Sequence, residues 1–421
     1  MITIVGSSKA FASTVRFVID LDAIRAARLA GADVVKHTPV VTSVTLSKQV
    51  GGAIALKAEN LQRTGAFKIR GAMNKLATLG DAAAGGVTAG SAGNHAQALA
   101  FAAKHFGVRC EIYVPAGASL SKVSACEAYG AIVHEGGDSL TEAVALSRQR
   151  ADAAGMVFCH PFDDEAVVAG QGTLGLELLE DFADLGCVII PLGGGGLAAG
   201  TAIAIKSVRP NVRIIGVQAD VCAPYTGAAA PAGPVATLAD GIAVKAPGEI
   251  TRPLVDAWVD EVVTVDEDTI ADAMVFLMER AKLFVEGAGA VGVAALMTGS
   301  ATPSPDGTTC VVLSGGNVDL GVVPGLIRRH EYRVQHRLSV FVRIDDRPGG
   351  LARLLSIFAA NGANLIEVGH IREGLDLHIR ETGVRATFEV RGAEHAARTL
   401  EAARAANYHI VQETGFFDSQ V

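Results

Sequence analysis

The sequence contains few aromatic and few charged residues and lacks long apolar runs. Aromatic residues make up 5% and charged residues 19% of the 421-residue chain. No uncharged apolar run reaches about 18 residues, which a membrane-spanning helix needs. The first residues also lack a basic segment followed by a sustained apolar one, as a secretory signal requires. We therefore expect no membrane partner and a cytoplasmic protein.

Basic clusters are absent as well. The chain carries 36 basic and 44 acidic side chains, a net charge of −8, and no lysine or arginine block that could neutralise a run of phosphates. Nucleic acid is therefore not an expected partner.

Cysteine pairs are missing too. The six cysteines include no CxxC pair and no histidine partner at zinc-finger spacing. We expect no metal site and buried, reduced thiols. Cys222, in a Pro/Ala/Gly-rich loop, is the one candidate for exposure.

What the sequence does contain is typical of an α/β protein. Half of the residues are apolar and 48 are glycine, and the length suggests two or three domains. Between residues 53 and 217, short β-branched runs alternate with helical patterns, and these runs begin near Val87, Glu111, Ala131, Val188 and Arg213. Such alternation predicts parallel strands joined by helices. Ligands are then expected beyond the carboxyl ends of the strands.

The pattern changes after Leu320, where a charged connector begins. Residues 338–344 alternate as a half-buried strand, and apolar residues then recur at helical spacing from Leu351 to Phe358. Further strands are predicted at residues 365–371, 384–390 and 409–412, with a helix over residues 393–406. The resulting order βαββαβ is the ferredoxin-like arrangement.

The stretch from residue 57 to residue 72 is the first dense cluster of chemically useful residues. A strand ends there, polar and glycine residues turn the chain, and a helix is predicted to begin near Phe67. An isolated lysine such as Lys68 is most often a solvated helix residue. A desolvated lysine amine, however, can act as nucleophile or base. Lys68 therefore becomes a catalytic candidate only if other motifs accompany it.

A second motif spans residues 91–97, between the Val87 strand and a helix predicted to run to about His105. Its glycine-containing turn exposes backbone N–H groups, which favour an anion. Simple helix capping is the alternative interpretation.

A third motif consists of the four glycines Gly193–Gly196, after one predicted strand and before a helix. Glycines in this position let the backbone wrap a phosphate at the helix N-terminus. Gly193, Gly195 and Ala198 also match the dinucleotide pattern GxGxxG/A. Asp220 stands about 20 to 25 residues further on, as a dinucleotide site would require. A nicotinamide-dependent oxidoreductase is therefore an alternative.

Ser314 forms the fourth motif, directly after a strand-like run that ends at Leu313. Glu286, in the segment 285–289, is a further candidate, with a helix-terminal carboxylate as the alternative. The segments 160–164 and 169–173 complete the pattern, but chemistry alone gives them no role.

In order and spacing these motifs resemble the threonine dehydratases among the tryptophan-synthase-like (fold type II) enzymes that use pyridoxal 5′-phosphate (PLP). The resemblance implies a catalytic domain over residues 1–332, built from two open α/β subdomains with mostly parallel sheets. The smaller subdomain, about residues 63–163, is inserted in the larger one.

The same resemblance implies roles for individual residues. Lys68 matches the lysine that forms an imine with PLP, and Phe67 would give an apolar surface against the cofactor. Asn94 matches the residue bonded to the phenolic oxygen, and Ser314 the hydroxyl bonded to the pyridine nitrogen. The remaining implied contacts are the phosphate loop Gly193, Gly194, Gly195, Gly196 and Leu197, a cofactor contact by Glu286, and the substrate-carboxylate loop Ser91, Ala92, Gly93, Asn94 and His95.

The implied reaction is β-elimination of an amino-acid substrate, L-threonine to 2-oxobutanoate and ammonia, and also L-serine to pyruvate. Serine racemase shares the fold, but racemisation needs an acid/base group on each face of the α-carbon. The racemase has a serine where this chain has Ala92, and its metal-binding carboxylate is Gln218 here. A racemase-type metal site is therefore not expected, while a monovalent cation held by backbone oxygens is left open. A lyase for 3-hydroxyaspartate or another 3-hydroxy amino acid and a non-catalytic amino-acid sensor are further alternatives.

Residues 333–421 resemble an ACT domain, a regulatory module that often binds an amino acid. The resemblance implies an effector site at Asp346, Gly349, Gly350 and Asn364. Isoleucine or valine is the expected effector, as feedback control of branched-chain amino-acid synthesis. A module used only for assembly is the alternative. A homo-oligomer, tetramer or dimer, is expected.

Overall fold

The computed structural model describes residues 19–372 and 377–413. By its internal contacts the chain divides into two compact units, one up to Val318 and one from Asp319 onward. The predicted boundary after residue 332 remains a prediction.

The first unit contains eleven α-helices within the described part of the chain: α1 (Leu21–Ala30), α2 (Val44–Val50), α3 (Lys68–Leu79), α4 (Asn94–Phe106), α5 (Leu120–Ala128), α6 (Leu140–Ala154), α7 (Glu165–Asp181), α8 (Gly196–Lys206), α9 (Thr251–Trp258), α10 (Glu267–Phe276) and α11 (Gly287–Thr298). Its strands are β1 (Val40–Thr42), β2 (Ile54–Lys57), β3 (Val87–Gly90), β4 (Cys110–Val114), β5 (Ile132–Glu135), β6 (Val157–Phe158), β7 (Leu185–Pro191), β8 (Arg213–Ala219), β9 (Glu261–Val265) and β10 (Thr308–Val312).

These strands form two sheets. The larger has the order β1-β2-β10-β7-β8-β9 and is parallel except for the edge pair of β1 with β2. The smaller, β5-β4-β3-β6, is parallel throughout. The predicted alternation of parallel strands and helices is therefore confirmed. Parallel strands rich in β-branched residues are buried on both faces, and the helices that connect them provide this cover.

Small residues let the helices of the larger sheet pack closely. A side-chain carbon on Gly200 of α8 would lie 2.3 Å from the carbonyl oxygen of Val168 in α7. The core around these helices consists mainly of Ala, Val, Leu and Ile. Close contacts between helices thus fill this core, although the chain has few aromatic side chains.

A buried ionic cluster anchors α3, the helix that Lys68 begins. Arg70 is fully buried and donates to Glu59 at 2.7 Å and to Glu177 of α7 at 2.7 Å. Lys57, at the end of β2, lies 2.8 Å from the same Glu177. Burial alone would raise the pKa of Glu177, but Arg70 and Lys57 outweigh it and hold that pKa below its ordinary value. Charges satisfied in this way fix α3 against the larger sheet.

The second unit contains α12 (Val323–Arg333), β11 (Arg337–Asp345), α13 (Gly350–Ala360), β12 (Asn364–Ile371), β13 (Glu381–Glu389), α14 (Ala393–Ala405) and β14 (Ile410–Glu413). Its antiparallel sheet has the order β12-β13-β11-β14. The predicted order of strands and helices after residue 337 is confirmed. The rings of Phe358 and Phe388 stack at 4.1 Å in its core.

Cys222 corrects one expectation. It is 1% exposed, and all six cysteines are buried and unpaired. After β8 the chain folds into two short helical turns, Asp220–Cys222 and Pro224–Thr226, and Cys222 and Tyr225 are their buried residues. The exposure of Cys222 predicted from the composition of its surroundings is therefore wrong.

Among the described residues, none of the helices combines the length and the apolar character that crossing a membrane requires. The same part of the chain contains no group of three or more His, Cys, Asp or Glu side chains arranged to hold a metal ion.

Candidate active site

A pocket of about 240 Å³ lies where loops after β3, β6, β7 and β10 meet the start of α3. This is the position expected for a ligand in parallel sheets, beyond the carboxyl ends of the strands. Every residue assigned above to cofactor or substrate lies in its lining: Phe67, Lys68, Ser91, Ala92, Gly93, Asn94, His95, Gly193, Gly194, Gly195, Gly196, Leu197, Glu286 and Ser314. The structure thus brings four motifs that are far apart in sequence to one pocket, while their individual roles remain predictions.

Lys68 is held at the pocket by the loops on either side of it. The backbone N–H of Phe67 donates to the carbonyl oxygen of Ser314 at 3.0 Å, and the Lys68 amine donates to the carbonyl oxygen of Pro161 at 2.9 Å. Burial lowers the pKa of Lys68 to about 8, although Glu286 acts in the opposite direction. A substantial fraction of this amine is therefore neutral near physiological pH and able to react.

The glycine loop is shaped by contacts that leave no room for side chains. A side-chain carbon on Gly194 would lie 2.2 Å from the ring of Phe162, and Gly195 has φ +95°. Thr251 donates its hydroxyl to the carbonyl oxygen of Gly194 at 2.6 Å, and Tyr225 donates to the same oxygen at 3.2 Å. These two hydrogen bonds fix the Gly194 carbonyl group. The loop then leads into α8, whose first N–H groups have no partner within the helix and can bind an anion.

The loop after β3 ends where α4 begins at Asn94. The Asn94 amide donates to Glu286 at 2.7 Å. His95 is buried, and its Nε2 lies 2.9 Å from the carbonyl oxygen of Cys159. Burial, assisted by the charge of Lys68, lowers the pKa of His95 to about 3. His95 is therefore neutral at physiological pH and holds the loop in place.

Glu286 is a buried carboxyl group at the N-terminus of α11. Burial and, to a smaller extent, the charge of Asp240 raise its pKa to about 7, against the effect of the hydrogen bond from Asn94. Its backbone N–H donates to the carbonyl oxygen of Gly315 at 3.0 Å. It is therefore both a helix-terminal carboxylate and a pocket group that changes protonation near neutral pH.

The pocket also contains residues for which the sequence motifs predict no role. Pro161, Phe162 and Gln171 belong to the two segments that chemistry alone left unassigned. Others, such as Lys122, whose amine lies 3.3 Å from the Asp240 carboxylate, come from regions with no recognisable motif. No local signal could have identified Lys122 and Asp240, because only the tertiary fold brings α5 next to the segment that contains Asp240.

Two residues bear on the alternatives. Asp220 is exposed and lies outside the pocket lining, so the predicted dinucleotide pattern is not completed there. The amide of Gln218 donates to the carbonyl oxygen of Leu192 at 3.0 Å and accepts from the N–H of Tyr225 at 3.0 Å. Gln218 thus connects two backbone segments.

The predicted effector residues are only partly gathered. A cavity of about 570 Å³ in the second unit is lined by Asp346 and Gly349 together with Arg347, His370 and others. Gly350 and Asn364 do not line it. Asn364 begins β12 and donates to Glu389 at 3.1 Å, so its position does not support a contact in this cavity.

Comparison with known proteins gives consistent results. A family model described as "Pyridoxal-phosphate dependent enzyme" matches residues 32–315. The chain is 41% identical to an L-threonine ammonia-lyase of Thermotoga maritima over 93% of this chain and 99% of the relative. It is 43% identical to an L-threonine ammonia-lyase of Geobacter sulfurreducens over 89% of this chain and 94% of the relative.

Solved structures of two activities resemble the chain to a similar degree. Maize serine racemase has a TM-score of 0.69 and 34% identity, and the match covers 76% of this chain and 100% of the racemase. The processed form of threonine deaminase isoform 2 from Solanum lycopersicum has a TM-score of 0.67 and 30% identity, and the match covers 73% of this chain and 94% of the deaminase. Similarity of fold therefore does not distinguish elimination from racemisation. The distinction has to come from the residues of the pocket.

Proposed function

The chain belongs to the family of pyridoxal-phosphate dependent enzymes, and from this premise we propose that it is an L-threonine ammonia-lyase. The observation that carries the proposal is the desolvated Lys68 amine, with a pKa of about 8, in a pocket that contains all four motifs. The relatives named L-threonine ammonia-lyase, at 41% and 43% identity over most of the chain, support threonine as the substrate.

The pocket residues fit PLP chemically. The side-chain-free loop at Gly193–Gly196 and the N-terminus of α8 suit a phosphate. The partly neutral Lys68 amine is a nucleophile that would hold a cofactor carrying an aldehyde group. The Ser314 hydroxyl is buried in the lining and would meet the ring nitrogen. Lys68, Gly193–Gly196, Asn94 and Ser314 would therefore hold the cofactor, with Phe67 and Glu286 beside it.

Bound PLP supplies an electron sink for the electron pair that remains when the α-proton of the substrate leaves. The chain's own groups provide the rest. With substrate and cofactor bound, the Lys68 amine would accept the α-proton, and its lowered pKa makes it an effective base near neutral pH. The substrate hydroxyl takes up one proton as it leaves as water, which balances the α-proton that Lys68 accepts. A later water molecule releases ammonia, so that the net products of threonine are 2-oxobutanoate and ammonia.

Ala92 supports elimination rather than racemisation. It lies in the pocket lining, and by the resemblance described above it stands where serine racemase has a serine. A methyl group can neither accept nor donate a proton, so this position offers no acid/base group for a second face of the α-carbon. We therefore place serine racemase second. L-Serine, with the same hydroxyl and amine, is a further expected substrate, and 3-hydroxyaspartate remains an alternative.

We further propose that the second unit is an ACT-like regulatory module for isoleucine or valine. Its βαββαβ order and its cavity beside the loop after β11 support this. Asp346 and Gly349 line that cavity, whereas Asn364 lies elsewhere. A cytoplasmic homo-oligomer, dimer or tetramer, remains our expectation from the resemblance.

Steady-state release of 2-oxo acid from L-threonine, L-serine and 3-hydroxyaspartate, with and without isoleucine, tests the proposal. We expect the highest kcat/KM with threonine and a weaker reaction with serine. Isoleucine should change the threonine rate. Racemisation of serine without 2-oxo acid release from any of the three would overturn the lyase assignment.

A further inference from the structure

We propose that Asn317 is a positioning residue of the active site, which fixes the direction of the Asn94 side-chain amide so that its nitrogen faces Glu286 and the cofactor. The proposal rests on the PLP-dependent function proposed above and adds to it a residue to which the sequence motifs gave no role.

Three hydrogen bonds form a relay. The side-chain nitrogen of Asn317 donates to the backbone carbonyl oxygen of Thr64 at 2.8 Å. The same nitrogen donates to the side-chain oxygen of Asn94 at 2.7 Å. The side-chain nitrogen of Asn94 in turn donates to the Glu286 carboxyl group at 2.7 Å.

The direction of the relay is set at its Thr64 end. A backbone carbonyl can only accept, so the Asn317 atom that contacts it must be the amide nitrogen. That nitrogen has no lone pair to offer, so the Asn94 atom facing it must be the oxygen. The other end of the Asn94 amide is then the nitrogen, which points to Glu286.

Glu286 could not set this direction by itself. Its pKa is raised to about 7, so both its protonated and its ionised form are populated near neutral pH. An ionised carboxylate accepts from an amide nitrogen, whereas a protonated carboxyl can also donate to an amide oxygen. Either orientation of Asn94 would satisfy one of the two forms. A fixed donor such as Asn317 removes the ambiguity.

The loop before Lys68 is shaped to receive Asn317. Thr64 has φ 60° and Gly65 has φ 73°. A side-chain carbon on Gly65 would lie 2.5 Å from the side-chain oxygen of Asn317. The N–H of Gly316 also donates to the carbonyl oxygen of Gly65 at 2.8 Å. The relay therefore joins the lysine motif, the Asn94 motif and the Ser314 motif.

The fixed direction of the Asn94 amide leaves the second N–H of its side-chain nitrogen available in the pocket. One N–H is engaged by Glu286, which leaves the other for a partner in the pocket. A donor to the phenolic oxygen of PLP stabilises its ionised form, and an amide oxygen in that place would destabilise it. Asn317 thus acts on the cofactor through Asn94.

The test replaces Asn317 with Asp in the holoenzyme. An aspartate cannot donate to Thr64 or Asn94 and instead attracts the nitrogen of Asn94, so the amide should reverse. We expect the long-wavelength absorption band of the bound cofactor to fall relative to the short-wavelength band. We also expect PLP to dissociate about tenfold more readily, as the loss of one well-placed hydrogen bond implies.

Asn60→Asp is the matched control. Asn60 is a buried neighbour whose side-chain nitrogen also donates to a backbone carbonyl, that of Phe284 at 3.1 Å, and it does not line the pocket. This variant should keep the wild-type band ratio even if it loses stability. If N317D fails to fold, Asn317→Ala removes the donor without adding charge, and the band ratio should fall part of the way.

A band ratio and PLP dissociation constant that are the same in wild type, N60D and the Asn317 variants would overturn the proposal. The readouts also separate it from the proposed function. A wild-type protein that binds PLP but releases no 2-oxo acid would refute the threonine reaction, while the spectra of the variants would still decide the role of Asn317.

Discussion

The amine of Lys68 donates a hydrogen bond of 2.9 Å to the backbone carbonyl oxygen of Pro161. Lys68 begins α3, whereas Pro161 follows the short strand β6 of the smaller sheet. Because a carbonyl oxygen can only accept, this contact engages one N–H and leaves the lone pair of a neutral amine available. The Pro161 carbonyl thus orients the reactive nitrogen of Lys68, although the two residues belong to separate segments of the chain.

Replacing Lys68 with Ala should abolish the reaction. The variant lacks both the amine that holds PLP and the base that accepts the α-proton, so we expect kcat to fall by at least about a thousandfold. The absorption band of the lysine-bound cofactor should disappear. Lys75→Ala is the control, because Lys75 lies on the same helix and pairs with Asp164 at 2.5 Å outside the pocket lining. Full activity in K68A would refute the assignment.

Glu286 should make stability depend on pH. Its pKa is raised in the folded protein to about 7 from an ordinary value of 4.5. The folded state therefore binds the proton more tightly than the unfolded state. Its stabilising contribution is complete below pH about 4.5 and is lost as pH rises through 7.

Glu286→Gln should remove this loss, because glutamine stays neutral. Relative to wild type, the variant should gain unfolding free energy between about pH 5 and pH 9, up to about 3 kcal/mol. Urea unfolding of the holoenzyme at several pH values measures the difference. Glu279→Gln, at an exposed position in a neighbouring segment, is the control and should show no such trend. A pH-independent difference for E286Q would contradict the buried-carboxyl account.

Gly194→Ala should damage the phosphate loop. The added carbon would lie 2.2 Å from the Phe162 ring, and such overpacking costs about 1 to 3 kcal/mol. We expect weaker PLP binding and a lower melting temperature. The same substitution at Gly325 in α12, where nothing lies within 4 Å, should be neutral or slightly stabilising. Equal PLP affinity in G194A and wild type would show that the loop does not hold the phosphate.

Ala92→Ser tests the separation of elimination from racemisation. A hydroxyl at this position offers a proton on the pocket wall, so we expect detectable conversion of L-serine to D-serine, which wild type should lack. Chiral chromatography of the reaction mixture measures it. Ala288→Ser puts a hydroxyl elsewhere in the lining and should not racemise serine. Substantial racemisation by wild type would instead favour the serine racemase alternative.

Asp346→Asn tests the regulatory site. Asp346 lines the cavity of the second unit and pairs with Arg372 at 3.2 Å. We expect calorimetric binding of isoleucine to the whole protein to weaken by about tenfold, the loss of one charge-assisted contact. The rate without effector should stay unchanged. Asn364→Ala, outside this cavity, should bind isoleucine as wild type does, and the opposite pattern would move the site to Asn364.

The sequence by itself determined the local elements and the candidate chemistry. Parallel strands, the βαββαβ order after residue 337 and the motifs at Lys68, Asn94, Gly193–Gly196 and Ser314 are all readable from it. These features depend on local periodicity and on residue types that few conformations tolerate. Glycines that follow a strand, for example, indicate that a ligand or another segment approaches the backbone closely there, whatever the tertiary fold.

Only the tertiary structure decided which groups act on one another. The pocket contact of Lys122 with Asp240 involves residues far apart in sequence. The relay from Thr64 through Asn317 to Asn94 does so too. The burial of Cys222 was likewise decided by the fold and not by the composition of its surroundings. Hydrogen bonds and burial depend on distances of a few ångströms between such residues, and no local pattern records them. The direction of the Asn94 amide is the clearest case, because a carbonyl oxygen 30 residues before it and a side chain more than 200 residues after it determine it together.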